Sequence, residues 1–388
     1  MAIQIKGGKF AHHGNIDWLE ERTILLTLFG SRAYGTDRPE SDWDFRGVCI
    51  APQRYRDGFL LKFAQYEMQS SDEMVVAGDM NVDDPDGTIY DLLKFFKLAA
   101  DCNPSIMEVL FVDDDAILYK TEEGQRLIDA RQKFLSRKVL HTFRGYAIQQ
   151  LRRIQTHRKW LMDPPDHQPT REEFELPDEI KLSNDQMRAA LSMVQKRVDS
   201  WEIDFGALEA AEKIYIQDQM YRFLVDVMIG GEPDAFGAGK LVADVNFKAA
   251  ARMLGMDSNF VEAIFKEKEY RRALKYWQQY NEWKKNRNPV RAEMEAKYGF
   301  DGKHGMHLVR LLRMCREILT EGKVLVRRPD AEELLSIRDG AWSYEKLMLW
   351  AEAEDKALIE VARKSPLPKQ PDRKWLDGLC QELVAGRR

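Results

Sequence analysis

Leu28-Phe29-Gly30-Ser31-Arg32-Ala33-Tyr34-Gly35 and, a few residues on, Ser41-Asp42-Trp43-Asp44-Phe45-Arg46-Gly47 decide how this chain is read. The segment leading in, Thr23-Ile24-Leu25-Leu26-Thr27-Leu28-Phe29, is apolar and stops at Gly30, which predicts a buried strand. Gly30 lets the backbone come close to a ligand. Ser31 then offers a hydroxyl and a backbone N–H at the start of a short helix near 31–35, a natural seat for phosphate oxygens. Asp42 and Asp44 are two residues apart at the opening of a second hydrophobic run, 44–51, so on a strand they share one face. Two carboxylates on one face repel, and a hard divalent cation relieves that repulsion. The pattern therefore implies a phosphate cradle beside a metal site, the layout for in-line phosphoryl chemistry.

Gly-Ser, a short spacer and Asp-x-Asp between hydrophobic residues resemble the signature of polymerase-beta-like nucleotidyltransferases. The closer resemblance is to the bacterial and phage RNA-repair-pathway polymerase-beta family. It rests on Gly30–Gly35, Ser41–Asp44, Tyr90-Asp91-Leu92-Leu93-Lys94-Phe95-Phe96 and Asn103-Pro104. Far downstream it takes in Lys297-Tyr298-Gly299-Phe300-Asp301-Gly302-Lys303-His304-Gly305-Met306-His307, followed by Leu308-Val309-Arg310-Leu311-Leu312-Arg313.

The resemblance implies an α+β protein: a nucleotidyltransferase domain over 1–120, built as a small mixed sheet with helices, and a large all-α domain over 121–388 that closes the cleft. It implies transfer of a nucleoside monophosphate from an NTP to an acceptor hydroxyl, with release of pyrophosphate. Gly30, Ser31 and Arg32 would bind the nucleotide. Asp42 and Asp44 would bind two Mg²⁺ ions, with Mn²⁺ as a substitute. An acidic residue from a third strand completes such a site, and in the family it lies four residues before the Tyr that opens a Leu-rich helix. Here that residue is Asp86, with Asp84 behind it. Lys303 is a γ-phosphate ligand by resemblance alone. The acceptor implied is an RNA end. The same core elsewhere serves tRNA, protein hydroxyls or antibiotics, and a sensor that binds without turnover would keep the fold.

Composition bounds these readings. The chain has 388 residues, 44% of them hydrophobic and 32% charged, with a net charge of −5. That suits a soluble protein with a substantial core and excludes a generic polyanion binder, so nucleic-acid contact must come from local basic patches. The cysteines Cys49, Cys102, Cys315 and Cys380 form no Cys-x-x-Cys pair, which argues against structural zinc. With no signal-like or membrane-length apolar run, a cytoplasmic location and no membrane partner are expected.

The remainder predicts helices. Residues 66–91 are acidic throughout, with a turn signal at Asp84-Pro85-Asp86-Gly87, and read as a loop before a helix from Tyr90 to Ala100. From 121 on, helices are expected over 121–133, 137–161, 184–202, 207–229, 243–253, 258–285, 289–297, 303–321, 330–337, 343–364 and 372–385. The helix at 137–160 carries cations and no acid, so Arg144, Gln149, Arg152 and Arg153 are candidate acceptor contacts. His304, His307, Arg310 and Arg313 recur every three residues as a slanting stripe suited to phosphate or base contacts, which makes the first three of them candidate nucleotide ligands. The aromatics interleaved with cations over 270–287 read as core packing.

Overall fold

The computed structural model describes residues 4–6, 9–10, 14–68, 73–76, 80–83, 86–176, 258–287 and 289–387. The expected helices at 184–202, 207–229 and 243–253, and Asp84, lie outside the described residues. Packing divides the chain into two units, one of residues 1–155 with 293–388 and one of residues 156–292.

The first unit is built on a five-stranded sheet of β1 (Thr23–Phe29), β2 (Asp44–Cys49), β3 (Gln65–Glu67), β4 (Asp86–Asp91) and β5 (Ile117–Lys120), in the order β5-β1-β2-β4-β3. Only β2 and β4 run parallel; the other neighbours are antiparallel, so the sheet is mixed. A separate three-stranded sheet pairs Gln4–Lys6, Glu73–Val76 and Met80–Asp83. β1 and β2 form as the sequence predicts because Ile24, Leu25, Leu26, Phe45 and Val48 are wholly buried.

Helices follow: α1 (Gly30–Tyr34), α2 (Leu92–Ala100), α3 (Pro104–Phe111), α4 (Glu122–Asp129), α5 (Val139–Met162), α6 (Ser258–Asn286), α7 (Pro289–Tyr298), α8 (Gly302–Glu321), α9 (Ala331–Arg338), α10 (Tyr344–Lys364) and α11 (Arg373–Ala385). A small mixed sheet followed by a helical C-terminal region is the expected α+β class. Side-chain caps start several helices: Asp91, Thr121, Asp301, Ser343 and Asp372 each accept a backbone N–H of the first turn. Such a cap contributes about 1 kcal/mol.

Two expectations are corrected. Much of 66–91 is strand: Glu67 and Asp86 stay exposed while Tyr66 and Ile89 on the same strands are buried. The helix expected from Tyr90 starts at Leu92, because Tyr90 and Asp91 still pair with Val48 and Cys49 of β2, and Asp91 caps the helix that follows.

The C-terminal helices share a unit with the sheet, and ion pairs tie them to it. Arg38 pairs with Asp339, Arg126 with Glu382, Arg387 with Glu123, and Arg327 with Asp113 and Asp115. Apart from the half-buried Arg387–Glu123, these pairs are largely exposed and each adds little. The buried link is different. Arg310 of α8 pairs with Glu108 of α3, both almost fully buried, and Glu108 accepts the Tyr34 hydroxyl at 2.6 Å. The Arg310 guanidinium lies 3.8 Å from the centre of the Tyr34 ring.

Candidate active site

The site begins where β1 ends. Phe29 is extended, and Gly30 turns the chain with φ +67°. A Cβ on Gly30 would land inside the van der Waals shell of Asp44 Oδ2, so only glycine lets the turn lie against that carboxylate. The short helix α1 closes on Gly35, which is left-handed, and Thr36 N–H donates to Ser31 carbonyl at 2.9 Å. The end of α1 is anchored from below by the buried Tyr34–Glu108–Arg310 cluster, and from the side by Arg328 N–H donating to Tyr34 carbonyl at 2.9 Å.

Register gathers the carboxylates. Asp44 opposes Phe29 on β1 and Asp86 on β4. Directly paired residues share a face, so Asp44 and Asp86 stand side by side next to the Gly-Ser turn. Asp86 N–H donates to Trp43 carbonyl at 3.3 Å, which continues the pairing past the end of β2. Asp42 lies just before the strand and is exposed; Asp44 is half-buried and Asp86 exposed. The Asp44 carboxyl is pushed up to about 6, chiefly by burial and next by the charge of Asp86, with Asp42 adding to it and Arg46 and Lys303 opposing it. Lys303 of α8 thus lies within electrostatic reach of Asp44.

Other predicted residues are placed differently. Arg32 donates to Ser41 carbonyl at 2.7 Å, approaches Asp37 at 3.5 Å and stacks 3.8 Å from the Trp43 ring centre. It fastens the loop that carries Asp42. Arg310 is turned to Glu108 inside the protein, where the two form a buried pair. Burial makes that pairing obligatory, because an unpaired guanidinium there is costly.

The histidines of the stripe part company. His304 Nδ1 is 2.9 Å from Gln150 Oε1 on α5, and Nε2 is 3.7 Å from Asp301. His307 is half-buried, and desolvation first, then Arg310, Lys303, His304 and Arg338, hold its imidazole well below the ordinary range and so neutral. Arg313 pairs with Asp330 and Glu333. The glycines around Lys303 have packing reasons: a Cβ on Gly302 would collide with the Arg338 carbonyl.

On α5 the unbroken positive charge is partly answered from elsewhere in the chain. Arg144 forms a two-pronged pair with Asp355, and Lys138, just ahead of the helix, pairs with Asp101 at 2.6 Å. Gln149 and Arg153 are exposed, and Arg152 is half-buried, its Nε without a hydrogen-bond partner.

Arg46 was not foreseen. It sits two residues after Asp44 on the same face, 4.6 Å from the Phe29 ring centre, and lowers the pKa of Asp44. The alternation along β2 was the signal that would have found it.

The donors near the turn are carboxylate oxygens, the hard set that magnesium-class ions prefer. Among the described residues no three His, Cys, Asp or Glu side chains are already drawn into a metal-holding group. The mutual repulsion recorded at Asp44 and the close seat at Gly30 nevertheless fit a cation there. The four cysteines are buried and unpaired, away from any such role. No helix among the described residues is long and apolar enough to cross a membrane.

A strand, a Gly-Ser turn laid on an aspartate and a second acid supplied in register by a parallel strand make up a polymerase-beta-like nucleotidyltransferase core. Residues 9–162 match the RNA repair pathway DNA polymerase beta family, and this N-terminal part of the chain belongs to it. The chain is also 32% identical over 97 residues to an uncharacterized 38.9 kDa protein in the nrdC-mobD intergenic region of Enterobacteria phage T4. That alignment covers 25% of this chain and 28% of the relative, so the chain spans under a third of the curated relative's length. No solved structure matches.

Proposed function

We propose that this protein transfers a nucleoside monophosphate from an NTP to the 3′-hydroxyl of an RNA end. The observation that carries the reading is the register Phe29–Asp44–Asp86, which sets two carboxylates beside the Gly30-Ser31 turn. In this reading Ser31 and the turn amides bind the β- and γ-phosphates, and Lys303 draws the triphosphate from the α8 side. Asp86, exposed and beside Asp44, takes the proton of the acceptor hydroxyl. The freed oxygen attacks the α-phosphorus; the new P–O bond forms as the bond to pyrophosphate breaks. Asp42, Asp44 and Asp86 would hold divalent cations, Mg²⁺ by preference, which supply neutralisation of charge on the phosphoryl oxygens. Arg152, Arg153 and Gln149 on α5 stand as acceptor contacts.

The raised Asp44 pKa has a consequence. A proton on Asp44 competes with a cation, so Mn²⁺ affinity, read by calorimetry, is expected to fall about tenfold for each pH step below about 6 and to level off above it. The sign for folding is opposite. A folded-state pKa raised above the unfolded value means that Asp44 adds stability below pH about 4, which is lost as pH rises through about 6 in the metal-free protein. An affinity flat from pH 5 to 8 would remove Asp44 from the cation site.

The reaction is tested by incubating the full chain with each α-³²P-labelled NTP and dNTP, Mg²⁺ or Mn²⁺ and a single-stranded RNA bearing a free 3′-hydroxyl. Lengthened RNA on a denaturing gel is the expected result. Pyrophosphate release with no lengthened RNA would retain the transfer chemistry and discard the RNA acceptor.

A further inference from the structure

The face of the sheet that bears Asp44 and Asp86 continues past them. Next in register come Arg46 beside Thr88, then Val48 beside Tyr90. At about 3.3 Å per residue, Arg46 lies roughly 7 Å and Tyr90 roughly 13 Å along the strands from the carboxylates. The mechanism above uses none of them.

Side chains from two helices converge on the same place. Lys94 of α2 lies 5.9 Å from the Tyr90 ring centre and donates to Gln65 of β3. Tyr146 of α5 is an aromatic ring 36% exposed, and its hydroxyl accepts a hydrogen bond from Asn103 Nδ2 at 3.0 Å. Tyr90 feels Arg46 and Tyr146 as neighbours: its phenol is raised chiefly by burial, with Arg46 opposing and Tyr146 adding.

Asn103 is the second observation. It occupies the N-cap position of α3, where Asn ordinarily accepts a first-turn N–H, yet it makes no such cap. Its amide nitrogen holds Tyr146. A ring fixed before binding costs less entropy to use. Cations beside aromatic rings are the chemistry that receives a nucleotide, with the base on a ring face and the phosphate on the cation.

We propose that Arg46, Tyr90, Lys94 and Tyr146 form a nucleotide subsite beside the carboxylates, in which a base stacks on Tyr146 and its phosphate meets Arg46 and Lys94. It rests on the nucleotidyltransferase reading and adds where one of its nucleotides sits. The shared ligand chemistry is a nucleobase with an adjacent phosphate, drawn either from the RNA terminus or from the NTP.

The test measures binding on the full chain without turnover. A 5′-labelled single-stranded RNA is followed by anisotropy, and an α,β-methylene NTP by calorimetry, for the wild type, Tyr146→Leu, Tyr146→Phe and Arg46→Gln, each checked for fold by circular dichroism. Tyr146→Leu is expected to weaken one ligand roughly tenfold, while Tyr146→Phe, which keeps the ring, stays within about threefold of wild type. Arg46→Gln is expected to weaken the same ligand and flatten its salt dependence. Loss confined to RNA assigns the subsite to the acceptor end; loss confined to the NTP assigns it to the incoming nucleotide. Wild-type binding of both ligands with both unchanged in Tyr146→Leu and Arg46→Gln overturns the subsite and leaves the reaction standing. A wild type that binds neither overturns both.

Discussion

Glu108→Leu should unfold at a markedly lower urea concentration than the wild type, with a loss of about 3–5 kcal/mol. The magnitude follows from what the substitution leaves behind. Arg310 is 5% exposed and Glu108 2% exposed, so deleting the carboxylate strands a guanidinium where water cannot reach it. The Tyr34 hydroxyl loses its acceptor at the same time. Adding Arg310→Met to Glu108→Leu removes the stranded charge and should restore most of the stability, since apolar replacement of a whole buried pair is often close to neutral. This double variant separates two roles for Arg310. A nucleotide ligand would give Arg310→Met a large rise in KM and little change in stability. The buried pair gives the reverse. A Glu108→Leu protein with the wild-type urea midpoint would show that the pair carries no weight.

Asp86→Asn should cost the transfer reaction roughly 10²–10⁴-fold in kcat, the range for loss of a positioned general base. Asn is isosteric and Asp86 is exposed, so the fold and the urea midpoint should stay as they are. NTP binding should persist, because the Gly30-Ser31 turn and Lys303 are untouched. The result is read from single-turnover rates with labelled NTP, alongside binding of the α,β-methylene analogue. An Asp86→Asn enzyme as fast as wild type would move the base elsewhere and leave the Asp44–Asp86 pairing a matter of folding alone. In Asp44→Asn, as in Asp86→Asn, weakened cation binding should accompany loss of rate, since both carboxylates are proposed to hold the cations.

What the sequence made readable was local. The apolar run Thr23–Phe29 ending in Gly30, and the two-residue spacing of Asp42 and Asp44, are patterns within one or two elements, and β1, α1 and β2 form where those patterns put them. The α+β class and most described helix limits followed from the same kind of signal. Long-range pairing was less visible. Asp86 was reached by resemblance, and its place opposite Asp44 depends on hydrogen bonds between segments about forty residues apart, which no periodicity encodes. Tyr90 was read as helical because Leu92, Leu93, Phe95 and Phe96 extend the apolar pattern back to it, whereas β4 holds it in strand.

The stripe from His304 to Arg313 shows the same limit of a local pattern. Spacing shows that the four side chains climb one side of α8, but not that the acids Glu108, Asp330 and Glu333 wait opposite two of them. Charge pattern along a helix records the helix alone; the neutralising partner comes from another part of the fold.

The parallel pairing of β2 and β4 also bears on how the chain is able to change. Two parallel neighbours cannot be joined by a tight turn, so the chain leaves β2 after Cys49, lays β3 along the sheet edge and comes back beside β2 at Asp86. The distance between Asp44 and Asp86 is fixed by ladder hydrogen bonds, while the exposed part of that excursion ahead of β3 takes no part in them. Phe59 and Leu60 project from it at 87% and 80% exposure. Doubling such a loop adds only about 0.6 kcal/mol of closure cost. Descendants of this chain are thus able to lengthen, shorten or rewrite that exposed part without disturbing the paired acids, provided β3 keeps its place beside β4. The count of residues between the two acids is then free to drift among relatives, and strand register is the trait by which they are to be recognised.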